Sequence, residues 1–217
     1  MLRPARPTDG LEIARVYLAT WSSHGHNLLR TGKAPEDTQT FDDEVQRKQQ
    51  CERFTSFIES GQRHFIVAEH IATNRLCAFI SYGPSYSREG FGEVMQLFVH
   101  PDFQRQGMGV KLLQAAWNQL RCHSWSRLGC HVWCTLGNPA NRVYERIGWF
   151  RTGKKKSLVP TLSKEPVDVE EYQAPDLSFG SSRIQSWSPW FLLGLAVGIV
   201  AVLSRHRQRR APGALPS

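Results

Sequence analysis

The chain has 217 residues, enough for one folded domain with short extensions. Its formal net charge is +8, but five arginines and no acid follow position 182, and subtracting these five leaves +3 for the rest. That excess is small and no nucleic-acid motif is present, so the sequence argues against a nucleic-acid partner. A mildly positive domain suits an anionic ligand instead.

The first predicted elements are a short strand at Leu2–Ala5 and a helix that begins near Thr8. From Trp21 to Thr40, glycines, serines and a proline break the helical periodicity, which predicts a loop. An amphipathic helix is predicted over Phe41–Ser60. Strands at His64–His70 and Leu76–Tyr82 then form a hairpin, and a polar connection, Gly83 to Gly92, leads to the central strand.

The central strand is followed by a glycine loop and a helix. The apolar run Val94–Val99 predicts a strand buried on both faces. Two glycines and Arg105 lie in the loop Gln104–Gly109, and apolar residues recur at helical spacing from Met108.

This order of elements is a geometry that holds phosphate. The first N–H groups of a helix lack internal partners and carry partial positive charge, and glycine lets the backbone approach an anion. Arg105 adds a full charge. The alternative is that Gly107 and Gly109 only make a tight strand-to-helix turn.

The next predicted strand, Cys130–Leu136, carries a cluster of sulfur and imidazole groups. Cys130, His131 and Cys134, with a Cys-His pair upstream, admit a zinc site as one alternative. The cysteines would share one face of the strand, as small buried residues do, and this favours no metal. The total of five cysteines is odd, and no secretory signal precedes the first strand, so we expect reduced thiols in a cytosol-like compartment.

The remaining predicted elements are a helix at Ala140–Ile147, a strand at Phe150–Thr152, a basic turn at Gly153–Lys156 and a closing strand at Val167–Tyr172. The lysines are interpreted as a solvated turn, with steering of an acidic substrate or lipid headgroups as the alternative. The full order is βααβββαβαββ, strands and helices combined in an α/β (α+β) chain.

Two motifs resemble those of the GCN5-related N-acetyltransferase (GNAT) superfamily. Gln104-x-x-Gly107-x-Gly109, directly after the central strand, is similar to the acetyl-CoA signature. The block from Asn138 to Phe150 resembles the later motif, in which Asn, Ala, Tyr and Gly-Phe recur, although Trp149 intrudes before the Phe or replaces it. The resemblance spans roughly Leu2 to Tyr172, and the order of elements matches it. It implies a GNAT fold over residues 1–174, with a mixed central sheet flanked by helices.

The resemblance also implies catalytic roles for two residues. Tyr144 would be the general acid that protonates the coenzyme A thiolate, and its alternative is a core tyrosine on an amphipathic helix. Glu93 would be a base that deprotonates the amine directly or through water, and its alternative is an exposed carboxylate at a strand end.

Cofactor contacts follow from the same resemblance. Asn138 would contact the pantetheine arm or place the proton network, and it can cap its helix as well. Backbone groups of Phe98 and Val99 would bind pantetheine where the strands part. The pyrophosphate would be held by the glycine loop, that is by Gln104, Arg105, Gln106, Gly107, Met108 and Gly109. In GNAT proteins the segment that corresponds to Trp21–Thr40 lies over the acceptor; His24 and His26 are candidates there, with solvated loop histidines favoured. Tyr86, in the Gly83–Gly92 connection, is a further candidate for lining the acceptor pocket.

After a polar linker, residues 175–188, the segment Trp190–Leu203 holds 14 residues without a charge. With its flanks it reaches about 18 residues, the short end of a transmembrane helix. We predict such a helix at residues 189–204, flanked by tryptophans on one side and a basic tail, 205–217, on the other. It resembles a tail anchor of the mitochondrial outer membrane or peroxisome with the catalytic domain facing the cytosol, or an inner-membrane anchor in a bacterium.

These predictions combine into a membrane-anchored, acetyl-CoA-dependent N-acetyltransferase that acts on a primary amine, either of a protein or of a small molecule. The alternative is a catalytically silent acyl-CoA-binding module or membrane-tethered adaptor. The sequence leaves the acceptor and the length of the acyl group open.

Overall fold

A computed structural model describes residues 1–30, 44–159, 162 and 166–175, with the backbone alone over 24–30. The strands are β1 (Leu2–Pro4), β2 (His64–His70), β3 (Arg75–Pro84), β4 (Phe91–Val99), β5 (Gly129–Thr135), β6 (Phe150–Leu158) and β7 (Val167–Gln173). The helices are α1 (Gly10–Arg30), α2 (Glu44–Ser60), α3 (Met108–Leu120) and α4 (Asn141–Arg146). Leaving single 3-10 turns aside, this is the predicted order βααβββαβαββ.

The strands form one seven-stranded sheet in the order β1-β2-β3-β4-β5-β7-β6. The pairing of β4 with β5 is parallel, and the other pairings are antiparallel. A parallel pair needs a crossover, and α3 supplies it. The prediction of a mixed sheet flanked by helices is therefore confirmed.

Apolar clusters cover both faces of the sheet. One contains Val94 of β4 and Leu112, Leu113 and Ala116 of α3. The other contains the inward side chains of α1, with Phe54 of α2 and Phe79 of β3. Helices α1 and α2 thus lie on one face and α3 on the opposite face, because neighbouring strand residues point to opposite sides.

The loop predicted over Trp21–Thr40 is wrong for its first half, because α1 continues to Arg30. Glycine and serine lower helix propensity by at most about 1 kcal/mol each, and the tertiary packing of an apolar face outweighs that. Tyr17 illustrates the packing, with ring contacts to Trp21, Phe54 and Phe98. The rest of the predicted loop, and the first residues of the helix predicted over Phe41–Ser60, lie outside the described residues.

The basic turn predicted at Gly153–Lys156 is also wrong, since these residues continue β6. The register with β7 shifts between Arg151 and Lys155, and Gly153 has a positive φ of 83°. The glycine therefore makes a bulge inside the strand instead of ending it. Lys156 then lies with its Nζ 3.9 Å from the centre of the Trp133 ring.

Within the described ranges, no helix is both long and apolar enough to cross a bilayer. The helix predicted at 189–204, the linker from 176 onward and the basic tail all lie beyond those ranges.

Candidate active site

The candidate site is a cleft that opens where β4 and β5 part. The two strands pair only at Phe91–Val94 with Gly129–Val132. Beyond that point β4 keeps its ladder with β3 and β5 its ladder with β7. The gap has a volume of about 700 Å³ and is lined by residues of both strands, the glycine loop and α4.

The two central-strand residues predicted to bind pantetheine both line the cleft. The Phe98 ring packs against Phe79 and Tyr17, with centroids 5.5 and 5.0 Å apart. The Val99 carbonyl accepts hydrogen bonds from Thr20 Oγ1 at 3.2 Å and Gln104 Nε2 at 3.1 Å. Gln104 therefore braces the end of β4 with its side chain and leaves anion binding to the rest of its loop.

The glycine loop lies at one end of the cleft. Gln104, Arg105, Gly107, Met108 and Gly109 line it; Gln106 is absent from the lining and donates to the carbonyl of Asp102 at 3.4 Å. Gly107 is the N-cap of α3 with φ of 76°, and no side chain caps the helix there. The first turn of α3 also carries no acid, so its N–H groups remain available to an anion.

Arg105 adopts a positive φ of 62°, which is uncommon for a residue with a Cβ. The cost is of order 1 kcal/mol, and such conformations concentrate at ligand sites. Here the conformation lets Arg105 line the cleft beside the α3 N-terminus.

Two more arginines reach the cleft from α4, and the sequence analysis missed them. Arg142 and Arg146 are four residues apart, the spacing that places two side chains on one helix face. This spacing is the feature of the sequence that could have identified the two arginines as neighbours. Among the described lining residues there are three arginines and no acid, which suits a polyanionic ligand.

Tyr144 lies on α4 and lines the cleft beside Cys134. It is 3% exposed, and its ring packs against Trp149 and Tyr172 with centroids 5.8 and 5.4 Å apart. Burial raises the pKa of Tyr144 well above its usual value, so the phenol is protonated at neutral pH. It can therefore donate a proton.

Asn138 lines the cleft just before α4, and its Oδ1 accepts from the Ala140 N–H at 2.8 Å. This contact closes a turn before α4, whose N-cap is Ala140 without a side-chain capping bond, so the predicted helix-capping role of Asn138 is wrong. The structure also shows which residue is the buried aromatic of the later motif, Trp149 or Phe150. Trp149 is 5% exposed and packs on Trp117 and Tyr144, whereas Phe150 is 49% exposed. Trp149 thus takes the place of the buried aromatic.

Glu93 does not line the cleft. It neighbours Val94, which packs on the α3 side, so Glu93 points to the opposite face of the sheet. Its Oε2 accepts a hydrogen bond from Ser85 at 3.0 Å. Burial raises the pKa of Glu93, and the bond from Ser85 only partly opposes this shift. Of the two predicted catalytic residues, Tyr144 therefore lines the cleft, whereas Glu93 lies on the other face of the sheet, one residue before the β4–β5 pairing ends.

The surroundings of Glu93 were not predicted. Ser85 Oγ lies 2.7 Å from Nε2 of His131, and Nδ1 of His131 lies 3.1 Å from Oε1 of Glu171. Strand alternation turns His131 away from Cys130 and Cys134, so the three residues share no metal site. Among the described residues, no group of three metal-ligating side chains occurs anywhere.

Residues 61–150, from the start of β2 to the start of β6, match the family described as the acetyltransferase (GNAT) domain. This part of the protein is an acetyltransferase domain of the GNAT type. The match includes both the glycine loop and α4, so it covers the two elements that the sequence motifs singled out.

Solved structures share the GNAT fold with this chain. The PaiA N-acetyltransferase of Thermoplasma acidophilum, in complex with coenzyme A, is 16% identical with a TM-score of 0.55, covering 80% of this chain and 98% of its own. YncA of Salmonella typhimurium, solved with acetyl-CoA, is 21% identical with a TM-score of 0.55, covering 82% and 98%. The ribosomal-protein-alanine N-acetyltransferase of Brucella melitensis is 18% identical with a TM-score of 0.55, covering 80% and 98%. By sequence, no curated protein matches the chain.

The residues of this GNAT domain fit a coenzyme A thioester. Past Val94, β4 has no ladder with β5, so an extended ligand can bond to its backbone there. A Cβ added at Gly109 would point toward Val99 and Leu97, at 3.9 and 4.0 Å, and would enter the cleft. The glycine loop and three arginines then provide for the phosphates.

Proposed function

We propose that this GNAT enzyme transfers the acetyl group of acetyl-CoA directly to a primary amine while it is anchored to a membrane. The observation that carries the proposal is the cleft between β4 and β5, which ends on the uncapped N-terminus of α3 and has no acid among its described lining residues. A long ligand with an anionic end and an extended arm matches this shape. The role of acetyl-CoA is further supported by two structures of the same fold that hold coenzyme A or acetyl-CoA.

We assign the cofactor contacts as follows. The phosphates bind the N–H groups at the start of α3 and Arg105, with Arg142 and Arg146 on the other side of the cleft. The pantetheine arm bonds to the backbone of β4 at Phe98 and Val99. Asn138 lies across the gap from this strand and supports the arm near the reacting end.

When bound, acetyl-CoA supplies a thioester whose carbonyl carbon can be attacked by a neutral amine. Glu93 accepts the proton that the ammonium form must lose, since burial has raised its affinity for a proton. Tyr144 donates a proton to the leaving sulfur, because its phenol is held in the protonated form. No residue forms a covalent bond to the acetyl group, so the transfer is direct.

The acceptor in this proposal is a primary amine, either a lysine or N-terminus of a protein or a small amine. Two proteins of the same fold, named PaiA N-acetyltransferase and ribosomal-protein-alanine N-acetyltransferase, carry N-acetylation in their names. A carboxylate base suits an amine acceptor, because an amine arrives as its ammonium ion and must lose a proton before it can attack.

The membrane part of the proposal rests on the sequence of residues 189–204. An anchor there would hold the catalytic domain on the cytosolic side of its membrane, and the basic tail suits the mitochondrial outer membrane or the peroxisome. Amines on proteins of that membrane surface would then be the acceptors within reach.

The test uses the full-length chain in detergent micelles. Isothermal titration with acetyl-CoA should give micromolar binding to the wild type and none to the double variant Gly107→Glu, Gly109→Glu. Gly61→Glu is the matched control, since Gly61 also has a positive φ, of 64°, with open space around it. No binding by the wild type overturns the proposal. Binding without turnover on a panel of peptide and small amines would favour the silent acyl-CoA-binding module.

A further inference from the structure

A continuous row of polar side chains extends from Glu93 into the protein. Ser85 Oγ lies 3.0 Å from Oε2 of Glu93 and 2.7 Å from Nε2 of His131. On the far side of the imidazole, Nδ1 lies 3.1 Å from Oε1 of Glu171, an electrostatic contact whose angle is outside that of a hydrogen bond. Each member therefore touches the next along a path from the strand end to the interior.

The inner members of this row have no access to solvent. His131 and Glu171 are both 0% exposed. Burial opposes the ionisation of Glu171, but hydrogen bonds from Thr152 at 2.7 Å and Arg88 at 3.0 Å outweigh it and lower its pKa. Glu171 is thus a fixed negative charge behind the imidazole.

The charges that face His131 come from four elements. They are Glu93 on β4, Arg88 in the β3–β4 connection, Glu171 on β7, and Lys154 and Lys156 on β6. Burial is the largest influence and, with the three cations, lowers the pKa of His131 to about 4 against the opposing effect of Glu171. At neutral pH the imidazole is neutral, and Glu171 favours the tautomer with its proton on Nδ1.

Counting hydrogens shows what this row can hold. The Ser85 hydroxyl has one hydrogen and cannot donate to Glu93 and to His131 at once. Both links are satisfied if Glu93 is protonated and donates to Ser85, which then donates to Nε2 of His131. They are also satisfied if Glu93 is ionised, Ser85 donates to it and an imidazolium donates to Ser85. Both arrangements contain one more proton than ionised Glu93 with neutral His131. Without that proton, both links are satisfied only by the Nε2–H tautomer of His131, which turns the Nδ1 lone pair toward the carboxylate of Glu171.

We propose that Ser85 and His131 join Glu93 in a relay that takes up one proton as a unit, with Ser85 as the link and Glu171 as the fixed charge that orients it. The proposal rests on the proposed role of Glu93 as the base. In that role Glu93 takes the proton from the amine directly or through water, whereas Ser85, His131 and Glu171 act through Glu93 and are positioning residues. The first proton that enters the row is stabilised because it allows both hydrogen bonds of Ser85 to form while Nδ1 of His131 keeps its proton toward Glu171. A second proton would have to place a positive charge on the buried imidazole of His131.

The proton balance is as follows. The ammonium N–H bond breaks and its proton binds Glu93, leaving a neutral amine. Ser85 can then receive that proton on its oxygen while its own hydrogen passes to Nε2 of His131, so the proton count of the row rises by one. The second amine proton ends on the thiolate through Tyr144, and the proton stored in the row returns to solvent after product leaves. One proton is released per acetyl group transferred.

The first test needs no turnover. Full-length protein carrying ¹⁵N-histidine and ¹³C-carboxyl-glutamate is titrated by NMR, with His131 and Glu93 assigned from the His131→Gln and Glu93→Gln spectra. In the wild type, the Glu93 carboxyl carbon and His131 Nε2 should report the same midpoint as one proton enters. In Ser85→Ala their midpoints should separate by about one pH unit or more. Identical titrations in wild type and Ser85→Ala overturn the relay, as does a His131 signal indifferent to Glu93→Gln.

The second test measures kcat/KM against pH with the most active amine of the panel. Ser85→Ala should lose about tenfold or more at neutral pH, within the range of general base catalysis, with the acid limb displaced and acetyl-CoA affinity unchanged. Ser85→Thr keeps the hydroxyl and should restore the profile. Ser60→Ala is the control and should match wild type, because the Ser60 hydroxyl contacts only the backbone of Phe57 and Gln62 around the end of α2. A loss in Ser85→Ala without displacement of the limb indicates a structural role and overturns the proposal. If no amine reacts, the proposed function fails while the NMR titration still decides the relay.

Discussion

The Tyr144 hydroxyl sits in an apolar and aromatic environment that keeps it protonated. Tyr144→Phe keeps the ring contacts with Trp149 and Tyr172 and removes only the acid. We expect kcat to fall about 100-fold, the lower end of general acid catalysis, with the melting temperature and acetyl-CoA affinity unchanged. Steady-state kinetics and calorimetry measure these quantities.

Tyr82→Phe is the matched control for this change. Tyr82 is 4% exposed, belongs to the same apolar cluster and is absent from the cleft lining. Its variant should retain wild-type kcat. Equal losses in both variants would mean that the effect comes from the core and not from proton donation.

Glu93 should set the acid limb of the pH profile. A base works only when ionised, so kcat/KM must rise as the pH rises through its pKa. Because burial raises that pKa above the usual 4.5, the limb should lie at higher pH than for an exposed glutamate. The measurement needs an amine whose own pKa lies below the pH range, so that only the enzyme titrates.

In Glu93→Gln the limb should disappear and kcat/KM should fall about 100-fold or more at neutral pH. Persistence of the limb at its wild-type position in that variant would assign the base to another group.

At the scale of elements, two glycines in the loop between β4 and α3 should affect acetyl-CoA binding and protein stability differently. Gly109 has room for a Cβ and no positive φ, so Gly109→Ala should keep or raise the free energy of unfolding, by at most about 1 kcal/mol. The added methyl group enters the cleft and should weaken acetyl-CoA binding about tenfold, or 1.4 kcal/mol. Gly107→Ala should instead lower the free energy of unfolding by about 1 kcal/mol, because its φ is 76°.

Chemical denaturation and calorimetry on the two variants check this contrast. A Gly109→Ala protein that binds acetyl-CoA like wild type would show that the cofactor passes elsewhere, whatever its stability.

Periodicity predicted the order of the elements in this chain but not their ends. The apolar run of β4 and the helical spacing of α3 are long local patterns, and both elements lie where the sequence indicated. The extension of α1 to Arg30 and the continuation of β6 through Gly153 depend on partners distant in sequence. The sequence alone does not tell whether a glycine such as Gly153 forms a bulge within a strand or a turn that ends it, and only the register with β7 distinguishes the two.

At the scale of the whole molecule, the sequence predicted the cofactor cleft better than the surroundings of Glu93. The glycine loop and Tyr144 each lie in a short motif whose residues are close together in the sequence. The row behind Glu93 joins Ser85, His131 and Glu171, which come from a connection and two strands. Their contact depends on the sheet order that places β4, β5 and β7 side by side, and no local pattern encodes that order.

The last prediction concerns the whole chain on a membrane. Residues 189–204 give a span near the lower limit of about 17 residues, with tryptophan and arginine at its ends. Full-length protein made in the presence of liposomes should float with them and resist carbonate extraction, because burial of an all-apolar helix does not depend on charge. A variant lacking 189–204 should remain in the soluble fraction and bind acetyl-CoA with unchanged affinity. Deleting only 205–217 is the control and should leave flotation intact; flotation of the 189–204 deletion would place the membrane contact on the catalytic domain instead.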